Sequence, residues 1–304
     1  MIIVEFCGGL GNQMFQYAFY KTLKYTYSAI KIKADLHNYK INKYHNGFEL
    51  FNIFNIHLDK ATIWECIKTG KRDYLNNYQN LILKNIYRIL IFFYNRFFIN
   101  KIKKNIYIKW VKSFDFDPSF FNLDINQNYY LSGYWINENY FNIIKDALFI
   151  DFQVSEIFNN SLIIKKIVNS ESVSIHLRRG DYVGTEYDVL TNDYYKNAIN
   201  YISDRIINPV FFIFSDDKEY AEKYFDYLPN KYLVSENHGN NSYKDMLLMS
   251  LCKHNINANS SFSFWGAYLN KNNKKIVVTP NIYLKNRQDY PVCKDWIIID
   301  CIKK

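Results

Sequence analysis

Residues His176 to Tyr182 read HLRRGDY, and the two arginines follow the apolar run SVSIHL directly. A planar guanidinium offers paired N–H donors that match phosphate oxygens. Arg178 and Arg179 at the end of a strand therefore suit a phosphate better than a surface ion pair. Gly180 permits a sharp turn. Asp181 is placed either to orient an arginine or to accept a proton, and Glu186 brings a second carboxylate in the same stretch.

Three further stretches have the same character. Gly8 to Gln13, GGLGNQ, lies between an apolar run and a helical pattern. Glycines let a backbone approach a ligand closely, and a helix N-terminus favours an anion. No G-K-[ST] follows, and Met14 stands where a dinucleotide fingerprint needs its third glycine. Phe214 to Asp217, FSDD, ends another apolar run, where Asp216 and Asp217 either cap the next helix or serve a site. Asn259 to Ala267, NSSFSFWGA, brings Ser260, Ser261 and Ser263 to a helix start. Hydroxyls and open N–H groups there form an anion cradle. Asp115 and Asp117 (DFD) match a D-x-D metal pattern, but the following Pro118 makes a loop the better reading. His176 and His254 lack metal-ligand spacing, so no metal site is expected.

The elements that must position these residues are an alternation of strands and helices. MIIVEFC predicts a buried strand, GGLGNQ a turn, MFQYAFYKTLKY a helix and AIKIKAD a second strand. From Ser172 the order is regular: SVSIHL, VFFIFS, KYLVS, NINAN and KKIVVTP as strands. Between them stand the helices NDYYKNAINYISDRI, with Asn192 or Asp193 as N-cap, KEYAEKYFDYL, SYKDMLLMSLCKH and SSFSFWGAYLN. Such alternation indicates a parallel sheet covered on both faces, and ligands there bind outside the strand C-termini. HLRRGD, FSDD and NSSF all fall at that edge.

The chain of 304 residues is long enough for one large or two medium domains. Abundant Tyr and Phe, together with Asn, Lys and Ile, follow A/T-rich codons and are not read as functional. The net charge of +9 suits nucleic acid, an anionic membrane or a phosphorylated substrate without choosing among them. Five scattered cysteines with no C-x-x-C argue against a disulfide framework or zinc site and fit a reducing compartment. The N-terminus lacks the features of a signal peptide, and no apolar run is long enough to span a membrane. Asn77 to Trp110 interleaves aromatic and aliphatic residues with Lys and Arg. It reads either as a helical subdomain with solvated lysines or as a basic amphipathic helix on an anionic membrane.

Taken together, four ordered motifs resemble the alpha-1,2-fucosyltransferases of glycosyltransferase family 11. They are Gly8 to Ala18, His176 to Tyr182, Phe214 to Asp217 and Asn259 to Ala267, with Phe264 where many relatives carry a second Trp. The resemblance implies an α/β GT-B architecture, two Rossmann-like domains facing each other across a cleft. Residues 1–160 would form a mainly acceptor-binding domain and 161–304 a GDP-fucose-binding domain. It implies inverting transfer of L-fucose from GDP-beta-L-fucose to the 2-hydroxyl of a terminal galactose, in O-antigen biosynthesis, with no cofactor and no metal. More distant fucosyltransferases imply that Arg178 grips the donor β-phosphate, that Glu186 in Val183-Gly-Thr-Glu186 is a base, with Asp181 as the other candidate, and that Asp245 reads guanine.

The remaining donor-binding candidates are Gly9, Gly11, Asn12, Gln13, His176, Arg179, Asp216, Asp217, Asn259, Ser260, Ser261 and Phe262. Galactose-terminated or lipid-linked acceptors would place a cytoplasmic enzyme at the inner face of the bacterial inner membrane, with 77–110 as the contact. Rival readings are a fucosyltransferase of another linkage, a transferase of another GDP-sugar, and a basic nucleic-acid-binding protein. The last leaves the four motifs unexplained.

Overall fold

A computed structural model describes residues 1–41, 45–71, 89, 105–111, 114–154, 162–285, 287, 291 and 293–301; along 105–111 the backbone is described. Among the described residues, ten strands form two sheets, each parallel throughout. The first contains β1 (Ile2–Glu5), β2 (Ile32–Asp35), β3 (Asn105–Val111) and β4 (Asn128–Gly133), in the order β2-β1-β4-β3. The second contains β5 (Glu171–Leu177), β6 (Pro209–Ser215), β7 (Lys231–Val234), β8 (His254–Ile256), β9 (Val277–Pro280) and β10 (Ile297–Ile299). Its order, β10-β9-β8-β5-β6-β7, is the Rossmann order 3-2-1-4-5-6 read from the other edge.

Ten α-helices connect the strands among the described residues: α1 (Leu10–Thr26), α2 (Asn38–Ile41), α3 (Leu50–Phe54), α4 (Ile63–Lys68), α5 (Lys145–Asp151), α6 (Leu162–Val168), α7 (Asn192–Ser203), α8 (Lys218–Tyr224), α9 (Tyr243–Leu251) and α10 (Ser261–Tyr268). The two α/β halves and the cleft between them form the GT-B arrangement. The expected division at 160/161 lies outside the described residues.

Each sheet has one point where the strand order reverses: between β1 and β4 in the first, between β5 and β8 in the second. Crevices open there, beyond the carboxyl ends of the strands. The segments after β1, β4, β5 and β8 all line one cleft of about 1510 Å³.

The halves share a hydrophobic core. Residues on and after β1, α1 and β4 cluster with Met246, Phe264, Trp265, Tyr268 and Trp296 of the second half. Twelve of the 17 residues of α1 are buried. A helix apolar round most of its girth must be covered on more than one side. Here α10 supplies the second cover: Phe15 packs 4.7 Å from Phe264 and 4.9 Å from Trp265, and Trp265 Nε1 donates to Gly11 O at 3.0 Å. Phe264 is wholly buried and also meets Trp296 at 4.8 Å, so its phenyl ring fills this seam.

Several expectations need correction. The glycine turn is shorter than GGLGNQ: Gly9 is an extended N-cap, and Leu10 to Gln13 already belong to α1. The N-cap of α7 is Thr191, whose hydroxyl accepts from Tyr194 N at 3.3 Å; Asp193 instead lies in the first turn, where its charge suits the helix dipole. Within 77–110, most residues lie outside the description, but 105–110 is strand and not helix. The period-two alternation of NIYIKWV, with its β-formers, explains that outcome. No helix among the described residues is long and apolar enough to cross a membrane.

A Cβ at Gly11 would sit 2.6 Å from Ser261 C and 2.7 Å from Phe262 N. Those are backbone atoms that cannot rotate away. Gly11→Ala is therefore expected to lose about 1–3 kcal/mol to overpacking, reduced by up to about 1 kcal/mol of helix propensity. Thermal melting checks this: a Tm equal to or above the wild type would contradict the close approach.

Candidate active site

The second-half wall of the cleft is built from strand ends. β5 stops at Leu177 and delivers Arg178, whose Nη1 bridges Asp216 Oδ2 at 2.9 Å and whose Nη2 donates to Asp181 Oδ1 at 2.7 Å. Asp216 Oδ1 also accepts from Arg179 N at 2.8 Å. Gly180 makes this possible, because a Cβ there would lie 2.6 Å from Asp216 Oδ2. Gly180 thus serves both the turn expected from the sequence, closed by Tyr182 N on Arg179 O at 2.7 Å, and the close approach of a carboxylate.

Arg179 points elsewhere. Its Nε meets Asp217 Oδ2 at 3.2 Å, its guanidinium lies 3.5 Å from the Tyr220 ring centroid, and it does not line the cleft. Asp217 also caps α8 by accepting from Tyr220 N at 3.1 Å. FSDD therefore both caps a helix and clamps two arginines.

The three serines of NSSFSFW divide by position. Ser260 caps α10 through Phe262 N at 3.2 Å, and Ser261 lines the cleft. Ser263 is buried and spends its hydroxyl on Ala258 O and Ser260 O, so it leaves the expected cradle. Ser260, Ser261 and Phe262 remain beside Arg178 as cleft-lining residues at a helix N-terminus.

His176 lies fully within the fold against Phe262, at 5.7 Å between rings. Burial first, and the Arg178 charge second, pull it down to about 3, so the ring is neutral. Its Nδ1 is buried with no hydrogen-bond partner among the described residues, an acceptor or donor left open at the cleft wall.

On the first-half wall, Gly9, Gly11 and Asn12 line the cleft. Gln13 does not; it is wholly buried, donates to Gly8 O and Gly47 O, and accepts from Glu49 N. The N-terminus of α1 already faces an anion, because the Leu10 N–H serves the Glu49 carboxylate. Burial pushes Glu49 up, while Asn46 and that N–H hold it back. Asn46 Nδ2 also reaches Gly239 O of the other half at 2.9 Å.

Sequence reasoning missed Asn46, Glu49, Tyr134, Trp135, Tyr283 and Arg287, all of which line the cleft. Trp135 is left-handed at φ 56°, an unusual conformation for a bulky residue, directly after β4. The strand-end rule was the signal available for Tyr134 and Trp135, but it needs the strand order.

At the other end of the cleft Asp245 accepts from Asn237 Nδ2 at 2.6 Å. Burial raises it to about 6, against the pull of Asn237 and Lys218. Asp181 is tied to Arg178, whereas the Glu186 carboxylate makes no hydrogen bond or ion pair among the described residues and lines the cleft. Asp115 and Asp117 do not line it; Asp117 caps a short 3₁₀ turn through Ser119 N at 2.9 Å.

Among the described residues, Asp35, His37 and Cys66 are the group whose metal-ligating atoms come within 4.8 Å of one another. None of them lines the cleft, and Asp35 already accepts from Tyr130 Oη and His37 N.

An arginine and a helix N-terminus thus stand at the β5–β8 switch point and face the first Rossmann-type half across the cleft. The chain belongs to glycosyl transferase family 11, whose model matches residues 1–300. It is similar to the O-antigen biosynthesis glycosyltransferase WbnK of Escherichia coli, 34% identical over 95% of this chain and 97% of that one. It is also similar to an alpha-1,2-colitosyltransferase of Escherichia coli, 31% identical over 99% of each. Among solved structures, the NodZ alpha-1,6-fucosyltransferase soaked with GDP-fucose is 12% identical, with TM-score 0.46 over 88% of this chain and 92% of that one.

The raised Asp245 has a consequence for stability. Its folded value, about 6, lies above the 3.8 of an unperturbed aspartate, so the folded state binds the proton more tightly. Stability contributed by this group falls as pH rises from about 4 to about 6 and is level above that. Asp245→Asn should stabilise the fold at pH 8 by about 3 kcal/mol and raise Tm accordingly, and the gain should vanish near pH 4. Melting curves at both pH values check the sign.

Proposed function

We propose that this glycosyltransferase moves L-fucose from GDP-beta-L-fucose to the 2-hydroxyl of a terminal galactose, with inversion and without a metal ion, in O-antigen assembly. The observation that supports this most is the placement of Arg178, held by Asp216 at the β5–β8 switch point beside the start of α10. A guanidinium and open helix N–H groups carry the countercharge that a departing diphosphate needs. The diphosphate competes with Asp181 for the same guanidinium.

Asp245 offers two carboxylate oxygens to the N1–H and amino group of guanine, and the open Nδ1 of His176 suits a further polar group of the donor. Glu186, unpaired among the described residues, is the base that takes the acceptor proton. The cleft volume exceeds what a single small-molecule site usually needs, which leaves room for donor and acceptor together.

A second reading keeps this chemistry and changes the sugar. The relative named as a colitosyltransferase favours it. Colitose is fucose without one ring hydroxyl, so the same diphosphate and guanine contacts would serve both.

Purified protein incubated with GDP-fucose and simple beta-galactosides is expected to give an alpha-1,2-linked product at a rate EDTA leaves unchanged. Transfer from GDP-colitose alone would select the second reading. Arg178→Ala should lower kcat on the order of 10²–10³-fold; near-normal turnover would remove the diphosphate role. GDP affinity should weaken as pH falls below about 6, as Asp245 takes up its proton.

A further inference from the structure

Asn259 was read above as a donor ligand, but its side chain is committed elsewhere. It is 2% exposed, and its Nδ2 donates to Tyr187 O and to Tyr283 O, both at 2.9 Å. Two backbone carbonyls can only accept, so their presence fixes which end of the amide faces them. Both amide protons are thereby used, one on each of two separate loops.

Both loops line the cleft. The first runs from Arg178 to Asp188 and holds itself together. Tyr182 N and Val183 N donate to Arg179 O, Thr185 N and Oγ1 donate to Tyr182 O, and Gly184 N donates to Asp188 Oδ2. These bonds set the shape of the loop, but not its place. Its place comes from outside: Lys285 N donates to Glu186 O at 2.8 Å, and Asn259 holds the next carbonyl, that of Tyr187. Glu186 is thus held through its own carbonyl by Lys285 and through the next carbonyl by Asn259, which also holds Tyr283 O.

We propose that Asn259 is a positioning residue for Glu186: it registers the base-bearing loop against the segment that also holds the diphosphate cradle. Ser260 and Ser261 follow Asn259 directly, so one rigid stretch sets the place of the leaving group and of the proton acceptor. Asn259 lines the cleft beside Ser260, but both protons of its amide are spent on the two loop carbonyls. This inference rests on Glu186 being the base.

The test compares wild type, Glu186→Gln, Asn259→Ala, Asn259→Asp and the Glu186→Gln/Asn259→Ala pair. Asn259→Asp keeps the size of the side chain and removes its amide protons, so it decides the matter if the alanine variant melts early. GDP affinity is measured by calorimetric titration, and kcat for transfer is followed across pH. Both Asn259 variants should lose about 10–100-fold in kcat, with GDP affinity within about threefold and a displaced acid limb of the pH profile. Adding Asn259→Ala to Glu186→Gln should cost little more than Glu186→Gln alone, because two groups acting as one unit do not multiply.

GDP affinity that falls in step with kcat in Asn259→Asp, or effects that multiply in the pair, would overturn the proposal. Full activity in Glu186→Gln would instead overturn the base assignment on which it rests. A dead Glu186→Gln beside an unimpaired Asn259→Asp would sink the positioning role alone.

Discussion

The near contact of two helix starts governs this molecule. α1 and α10 meet at Gly11, where the absence of a side chain lets Ser261 and Phe262 come within backbone distance. Trp265 places its indole N–H on the Gly11 carbonyl, and Phe15 lies against Phe264 and Trp265. Aromatic contacts of this type contribute about 0.5–1.5 kcal/mol each beyond their burial. The geometric effect matters more. The seam sets the distance between the two switch points, so Gly9 to Asn12 and Ser260 to Phe262 stand on opposite walls of one cleft.

Around that seam, carboxylates aim the cationic and N–H groups. Asp216 holds Arg178 and the Arg179 amide together, and Asp217 turns the second guanidinium away onto Tyr220. Glu49 occupies the start of α1. The start of α10 is capped by the Ser260 hydroxyl, which accepts from Phe262 N. Donors oriented in advance need little rearrangement when charge develops on a leaving group, which is where electrostatic catalysis gains most. The cost shows at Asp245, where burial disfavours the charged carboxylate and raises it to about 6.

The motifs were legible in the sequence because each is local. A strand, its end and the next residue types suffice to place Arg178, Asp216 and Ser261 at a ligand edge. The rest depends on what lies beside each residue in space. Ser261 and Ser263 are alike in sequence, yet two positions along a helix put one at the cleft and the other against Ala258 O. Arg179 looked equivalent to Arg178 until Asp217 and Tyr220 claimed it. Tyr134 and Trp135 join the site only because β4 lies beside β1, and no local pattern encodes strand order. The short strand Ile297–Ile299, which extends the second sheet, was missed because three residues carry too little periodicity.

The shared core also bears on how such enzymes diversify. Here Phe15, Phe141 and Phe152 pack directly on Trp265, and Tyr268 closes over Phe141. A recombinant that took one half from a relative would inherit a broken interior as well as a new specificity. Change is therefore easier in cleft-lining loops such as those after β4 and β9, while α1 and α10 descend together as one heritable unit.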